Sequence, residues 1–171
     1  MINRIIHFNV VCTDLDRSIK FYRDLLGGQV LGDTRKALAE RGLNTKPTAI
    51  AFQYDKIYKV SEPEWRACYI RFGKGSDVTT TIDLLQWIKP APVGNPLDTA
   101  NHVGIPRVAL EVDDIEKAYK ELTAKGVKFL SPPQIVDLKR EELAKLKPDL
   151  AKPIKFCVCL DPDGTLIELV E

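Results

Sequence analysis

The sequence predicts an α+β protein built from two tandem βαβββ modules that present the same face to a shared cleft. Two internal matches and one punctuation pattern predict it. The run His7-Phe8-Asn9-Val10-Val11-Cys12-Thr13-Asp14-Leu15-Asp16 recurs, position for position, as Arg107-Val108-Ala109-Leu110-Glu111-Val112-Asp113-Asp114-Ile115-Glu116, and Thr81-Ile82-Asp83-Leu84-Leu85 recurs as Leu166-Ile167-Glu168-Leu169-Val170. Between the copies, Pro90-Ala91-Pro92-Val93-Gly94-Asn95-Pro96 has too few backbone donors to pair in a sheet and reads as a linker. Duplicated units with polar residues at equivalent strand positions can gather them about a pseudo-twofold axis, which here unites His7, Asp83, Arg107 and Glu168.

Each element follows from local pattern. Ile5 to Cys12 alternates as a strand, with His7, Asn9 and Val11 on one face and Phe8, Val10 and Cys12 on the face that packs under a helix. Asp14 suits the N-cap of a helix running through Leu26, because Leu15, Ile19, Tyr22 and Leu26 recur at helical spacing and Gly27-Gly28 stops it. Gln29 to Leu31 is the next strand. Arg66 to Phe72 and Thr79 to Trp87 close the first module, joined by the turn-rich Gly73-Lys74-Gly75-Ser76-Asp77.

In the second module, Val108 to Val112 is the first strand and Asp113 or Asp114 caps a helix that buries Ile115, Ala118, Tyr119 and Leu122 before Gly126 ends it. Val127 to Leu130 mirrors Gln29 to Leu31. Ile154 to Leu160 and Thr165 to Val170 form a hairpin about Asp161-Pro162-Asp163-Gly164. The modules are thus 1–90 with an insertion at about 33–62, a linker at 91–103, and 104–171 with a helical insertion at about 137–150. Helical character at Arg35 to Leu43 and at Leu138 to Leu146 reads as surface helix or as lid.

With 171 residues, 44% hydrophobic and 29% charged, the chain is long enough to bury a real core, and its net charge of +1 is scattered. That excludes a basic footprint for nucleic acid and a polybasic membrane patch. Neither a signal peptide nor a membrane span fits the charged N-terminal run, so a cytoplasmic protein with a small-molecule partner is expected. Cys12, Cys68, Cys157 and Cys159 lie in strands, which suits buried reduced thiols better than a disulfide framework.

The motifs Asp14 to Gly27 (D-L-D-x-S-I-x-F-Y-x-x-L-L-G), Val112 to Ala118 (V-D-D-I-E-x-A) and Asp161 to Leu169 (D-P-D-G-x-L-I-E-L) resemble the vicinal oxygen chelate superfamily. That group contains glyoxalase I, methylmalonyl-CoA epimerase, extradiol dioxygenases, fosfomycin resistance enzymes and bleomycin resistance binding proteins. The resemblance implies two modules whose curved sheets form a half-open barrel. It also implies a divalent metal held by one residue from the first strand and one from the last strand of each module. Carried across, those places fall on His7, Asp83, Arg107 and Glu168. It further implies a homodimer in many members.

One imidazole and two carboxylates suit Zn, Ni, Fe, Co or Mn, whereas Arg107 is a permanent cation that only donates hydrogen bonds. Two readings stay open: a metal on His7, Asp83 and Glu168, or a metal-free site in which Arg107 sits between carboxylates or clamps a substrate anion. Asn9, Tyr69, Arg71 and Glu111 fall on the same strand faces and are candidate substrate-binding residues. His102, beside the linker, is a substitute ligand or an exposed residue. The functions expected are a glyoxalase-like lyase or isomerase acting on a small carbonyl or carboxylate compound, with Glu168, Asp83 and Arg107 catalytic; alternatively a binding protein of the bleomycin-resistance type; and, less favoured by Arg107, an extradiol dioxygenase.

Overall fold

The computed structural model describes residues 5–33, 64–73, 80–96, 104–136 and 153–171. The two helical insertions expected at about 33–62 and 137–150, His102, and most of the linker at 91–103 lie outside or largely outside the described residues. The chain divides into two compact units, Met1–Gly94 and Asn95–Glu171.

The first unit runs β1 (His7–Val11), α1 (Leu15–Ile19) continued by a π-helical turn (Lys20–Leu25), β2 (Gln29–Asp33), β3 (Glu64–Arg71) and β4 (Thr81–Lys89). The second runs β5 (Arg107–Glu111), α2 (Ile115–Ala124), β6 (Gln134–Val136), β7 (Ile154–Leu160) and β8 (Leu166–Val170). Both sheets have the same order, first strand, last strand, third, second, so β1 pairs parallel with β4 and β5 parallel with β8. The registers also repeat. His7 lies opposite Thr81 and Tyr69 opposite Asp83 in one sheet; Arg107 lies opposite Leu166 and Val158 opposite Glu168 in the other. These are the βαβββ modules the repeat predicts.

Strand alternation decides what is buried. Val10, Cys12, Cys68, Ile70, Ile82 and Leu84 in the first unit, and Cys157, Cys159, Ile167 and Leu169 in the second, turn to the helix-covered side with Leu15, Ile19, Tyr22, Ile115 and Leu122. All four cysteines are buried free thiols. Among the described residues no helix is long and apolar enough to cross a membrane.

Each helix is tied to its sheet twice. The Asp14 carboxylate accepts from Arg17 N–H (3.0 Å) and Asp114 from Lys117 N–H (2.9 Å) as N-caps. The first helical N–H then finds a side chain within or just beyond the last strand: Leu15 N–H donates to Gln86 Oε1 of β4 (3.1 Å), Ile115 N–H to Glu171 Oε2 after β8 (2.8 Å). Four orphan N–H groups at a helix start need such partners. The hydrogen bond from Ile115 N–H and that from Lys155 Nζ (2.8 Å) hold the Glu171 carboxyl below the usual range, while Gln86 Nε2 donates to Thr13 C=O (3.0 Å).

Three expectations need correction. The first helix is not α-helical throughout: Leu26 N–H bonds Phe21 C=O and Gly28 N–H reaches back to Tyr22 C=O (2.9 Å), where the counterpart Val127 N–H reaches only Leu122 C=O (3.0 Å). The first copy carries one residue more between the cap and the glycine that ends the helix (Gly27 against Gly126), absorbed by the π-helical turn. That turn rotates the apolar stripe, so Phe21 is buried and Leu26 only partly so. Second, Val127 to Leu130 is not a strand but a single bridge from Phe129 to Cys159; the ladder starts at Gln134, because Pro132-Pro133 has no N–H to offer it. Third, Ala118 and Tyr119 are half-buried, with Tyr119 packed edge-on against Phe129 at 4.8 Å.

Gly28 marks the tightest approach. A Cβ there would stand 2.6 Å from Ile70 Cγ2 and 2.8 Å from the Tyr22 carbonyl oxygen, which belongs to the π-helical turn and has little room to withdraw. Gly28→Ala should therefore destabilise the chain by roughly 1–3 kcal/mol, measured by chemical denaturation, whereas Asp114→Ala should cost about 1 kcal/mol. A Gly28→Ala protein as stable as the parent would show that the turn yields freely.

Candidate functional site

In the first unit, the sheet face away from the helix carries the candidate site residues. Parallel pairing sets Asn9 of β1 beside Asp83 of β4, and antiparallel pairing sets Tyr69 of β3 on the other side of Asp83. Three polar residues thus form one row across three strands. Asn9 Nδ2 donates to Asp83 Oδ2 at 2.7 Å, while Asp83 Oδ1 is buried with no hydrogen-bond partner among the described residues. His7, at the start of β1, leans toward Tyr69 with ring centroids 5.4 Å apart and planes at 55°.

The electrostatics follow from burial. Asp83 is only 8% exposed, and loss of water pushes its carboxyl above the ordinary range; the nearby His7 and the Asn9 hydrogen bond pull it only part of the way back. The Tyr69 phenol is also raised, first by burial and then by the Asp83 charge. A carboxyl raised in this way, with one oxygen held and the other unpartnered, suits proton transfer. A raised phenol stays protonated at neutral pH and remains a hydrogen-bond donor.

Further along the face, Arg71 Nη2 donates to Gln29 Oε1 (2.5 Å), so this guanidinium turns to β2 rather than to Asp83. Trp65 and Trp87 pack at 5.8 Å with Ala67 and Leu85, giving the row an apolar end.

The second unit places Arg107 and Glu168 together. Arg107 Nε lies 3.0 Å from Glu168 Oε2, with the arginine side chain 49% exposed and the glutamate 13%. Where the first unit has Asn9 and Tyr69, this one has Ala109 and Val158, so Glu168 lacks a polar row. Glu111 shares the face and is exposed. Cys157 and Cys159 face the helix instead, and burial pushes their thiols up to about 11 and about 12. They are neutral core residues.

The donor set does not fit a four-ligand metal centre. Arg107 has no lone pair to offer, and it engages the carboxylate that would otherwise be a ligand. Among the described residues no group of three or more His, Cys, Asp and Glu side chains could hold a metal ion. His7 and Asp83 are half of such a set at most.

Sequence reasoning singled out His7, Asp83, Arg107 and Glu168 through the repeat and Asn9 and Tyr69 through strand alternation, but not Gln29, Gln86 or Glu171. Gln86 and Glu171 were findable, since both follow the matched last-strand segments at equivalent places.

A family model for the Glyoxalase/Bleomycin resistance protein/Dioxygenase superfamily matches residues 4–169. No curated protein matches the chain. Among solved structures, a glyoxalase family protein from Bacillus cereus superposes with a TM-score of 0.70 at 17% identity, covering 100% of this chain and 95% of that one. A glyoxalase family protein from Enterococcus faecalis gives 0.62 at 17% identity, covering 98% and 97%. Glyoxalase I from Zea mays gives 0.60 at 18% identity, covering 98% of this chain and 44% of that one. At such identities the likeness speaks for the fold.

The raised Asp83 carboxyl makes stability depend on pH with a definite sign. The folded state holds this proton more tightly than the unfolded chain, so the contribution is fully present below the ordinary aspartate range and is lost as pH rises through the raised value. Asp83→Asn should then stabilise the protein by roughly 1 kcal/mol at pH 8 and by much less near pH 3.5, read as the difference in denaturation midpoints. An equal effect at both pH values would refute the raised carboxyl.

Proposed function

Because the chain belongs to the Glyoxalase/Bleomycin resistance protein/Dioxygenase superfamily, we propose that it is a lyase or isomerase acting on a small carbonyl or carboxylate compound through enolate-type chemistry. The single observation that supports this reading is the Asp83 carboxyl: buried, raised, held at Oδ2 by Asn9 and without a hydrogen-bond partner at Oδ1 among the described residues. In this reading the Asp83 carboxylate takes the proton from the carbon beside the substrate carbonyl, and that C–H electron pair moves into the enolate. The Tyr69 hydroxyl donates a hydrogen bond to the oxygen on which charge develops. Return of the proton to the neighbouring carbon gives isomerisation; departure of a group from it gives elimination.

Glu168 is the less suitable base, because Arg107 occupies one of its oxygens. No step is assigned to a metal. Extradiol cleavage is the weakest reading for the same reason, since its iron site calls for an imidazole where Arg107 stands.

A sequestering role of the bleomycin-resistance type has one observation in its favour, the Trp65–Trp87 pair with Leu85 and Ala67 on the face that holds Asp83. An aromatic wall binds an apolar ligand without transforming it.

Deuterium incorporation separates the two. A panel of 2-oxo aldehydes, 2-oxo acids and α-hydroxy ketones, incubated with the protein in heavy water and followed by proton NMR, should reveal enzyme-dependent loss of the α-proton signal for at least one compound. Asp83→Asn should slow that exchange by about 10²–10⁴-fold, and Tyr69→Phe by less. Saturable binding of panel compounds, with no exchange above the buffer rate, would assign the sequestering role.

A further inference from the structure

The mismatch between Arg107 and a metal centre has a positive side. Glu168 meets Arg107 at Nε, the side edge of the guanidinium, and the arginine side chain is half exposed. The two terminal nitrogens have no partner among the described residues, and together they form the fork that recognises a carboxylate through two parallel hydrogen bonds. The ion pair orients the fork, so little side-chain freedom is left to lose on binding.

The surroundings specify what the fork would hold. By register, Arg107 lies beside Leu166, which pairs with Leu160; Ala109 and Val158 flank Glu168. This is an apolar floor, and Leu166, Leu160 and Val158 are all half-buried. The same sheet face carries one guanidinium and two carboxylates, Glu168 and Glu111, one of them already spent on Arg107. Such a balance repels a dianion more strongly than a monoanion.

We propose that the second unit contains an anion-binding site in which Arg107, oriented by Glu168, takes the carboxylate of a small monoanionic ligand whose apolar body lies over Leu160, Leu166 and Val158. The proposal goes beyond the enolate chemistry assigned to Asp83 and does not depend on it, since binding is read without turnover.

The test is a titration of the full-length chain with acetate, hexanoate and inorganic phosphate, following the Arg107 Nε–Hε resonance by nitrogen-15 NMR at constant ionic strength. Hexanoate should shift that resonance saturably. It should bind at least tenfold tighter than acetate, because each fully buried methylene is worth roughly a fourfold gain and four are added. Phosphate should bind at least tenfold more weakly than hexanoate.

Arg107→Met should abolish hexanoate binding, measured calorimetrically, and Arg107→Lys should weaken it roughly tenfold by replacing the fork with a point charge. The proposal is overturned if hexanoate fails to saturate the wild-type resonance, if it binds no tighter than acetate, if phosphate matches it, or if Arg107→Met binds hexanoate undiminished. The wild-type titration decides the matter even if a variant fails to fold. Loss of α-proton exchange without loss of hexanoate binding would count against the Asp83 chemistry alone.

Discussion

Parallel pairing of the first and last strands of each unit is the constraint on which the rest depends. Two parallel neighbours cannot be joined by a tight turn, so a long crossover must separate them in sequence. Here the crossover consists of a helix and two more strands, which supply the cover for one face of the sheet and its other half. Residues from opposite ends of a module are thereby set side by side. Asn9 can hold Asp83, and Arg107 can hold Glu168, only because β1 lies on β4 and β5 on β8.

The same scaffold has been given two different chemistries. In the first unit the row Asn9, Asp83, Tyr69 keeps an acid buried, partly satisfied and inclined to retain its proton. In the second, a guanidinium neutralises the equivalent acid while the neighbouring row positions are Ala109 and Val158. Burial of a carboxylate is costly unless it is paired or protonated. The first unit raises the pKa of its acid by burial, and the second pairs its acid with a cation.

Much of this was legible in the chain because it was written twice. The repeat predicted the βαβββ order, the capping aspartates, and the strand faces bearing His7, Asn9, Asp83, Arg107 and Glu168. Alternation alone placed the cysteines in the core, where they are found. Less legible were features that depend on backbone detail. One extra residue before Gly28 leaves the apolar pattern nearly intact yet turns the helix into a π-helical turn, and a strand-like Val127 to Leu130 is cut short by prolines that follow it. The direction of Arg71 toward Gln29, and the use of Gln86 and Glu171 as helix partners, are long-range side-chain matters with no local signature.

The π-helical turn is where the two units part company. Cap, strand register and the polar side chain that accepts from the first helical N–H agree between them, whereas the extra residue is present in only one. It lengthens the helix end by one position without disturbing the ladder that sets Asn9 beside Asp83, so a unit can absorb an insertion in its helix while the polar row of its sheet stays in register.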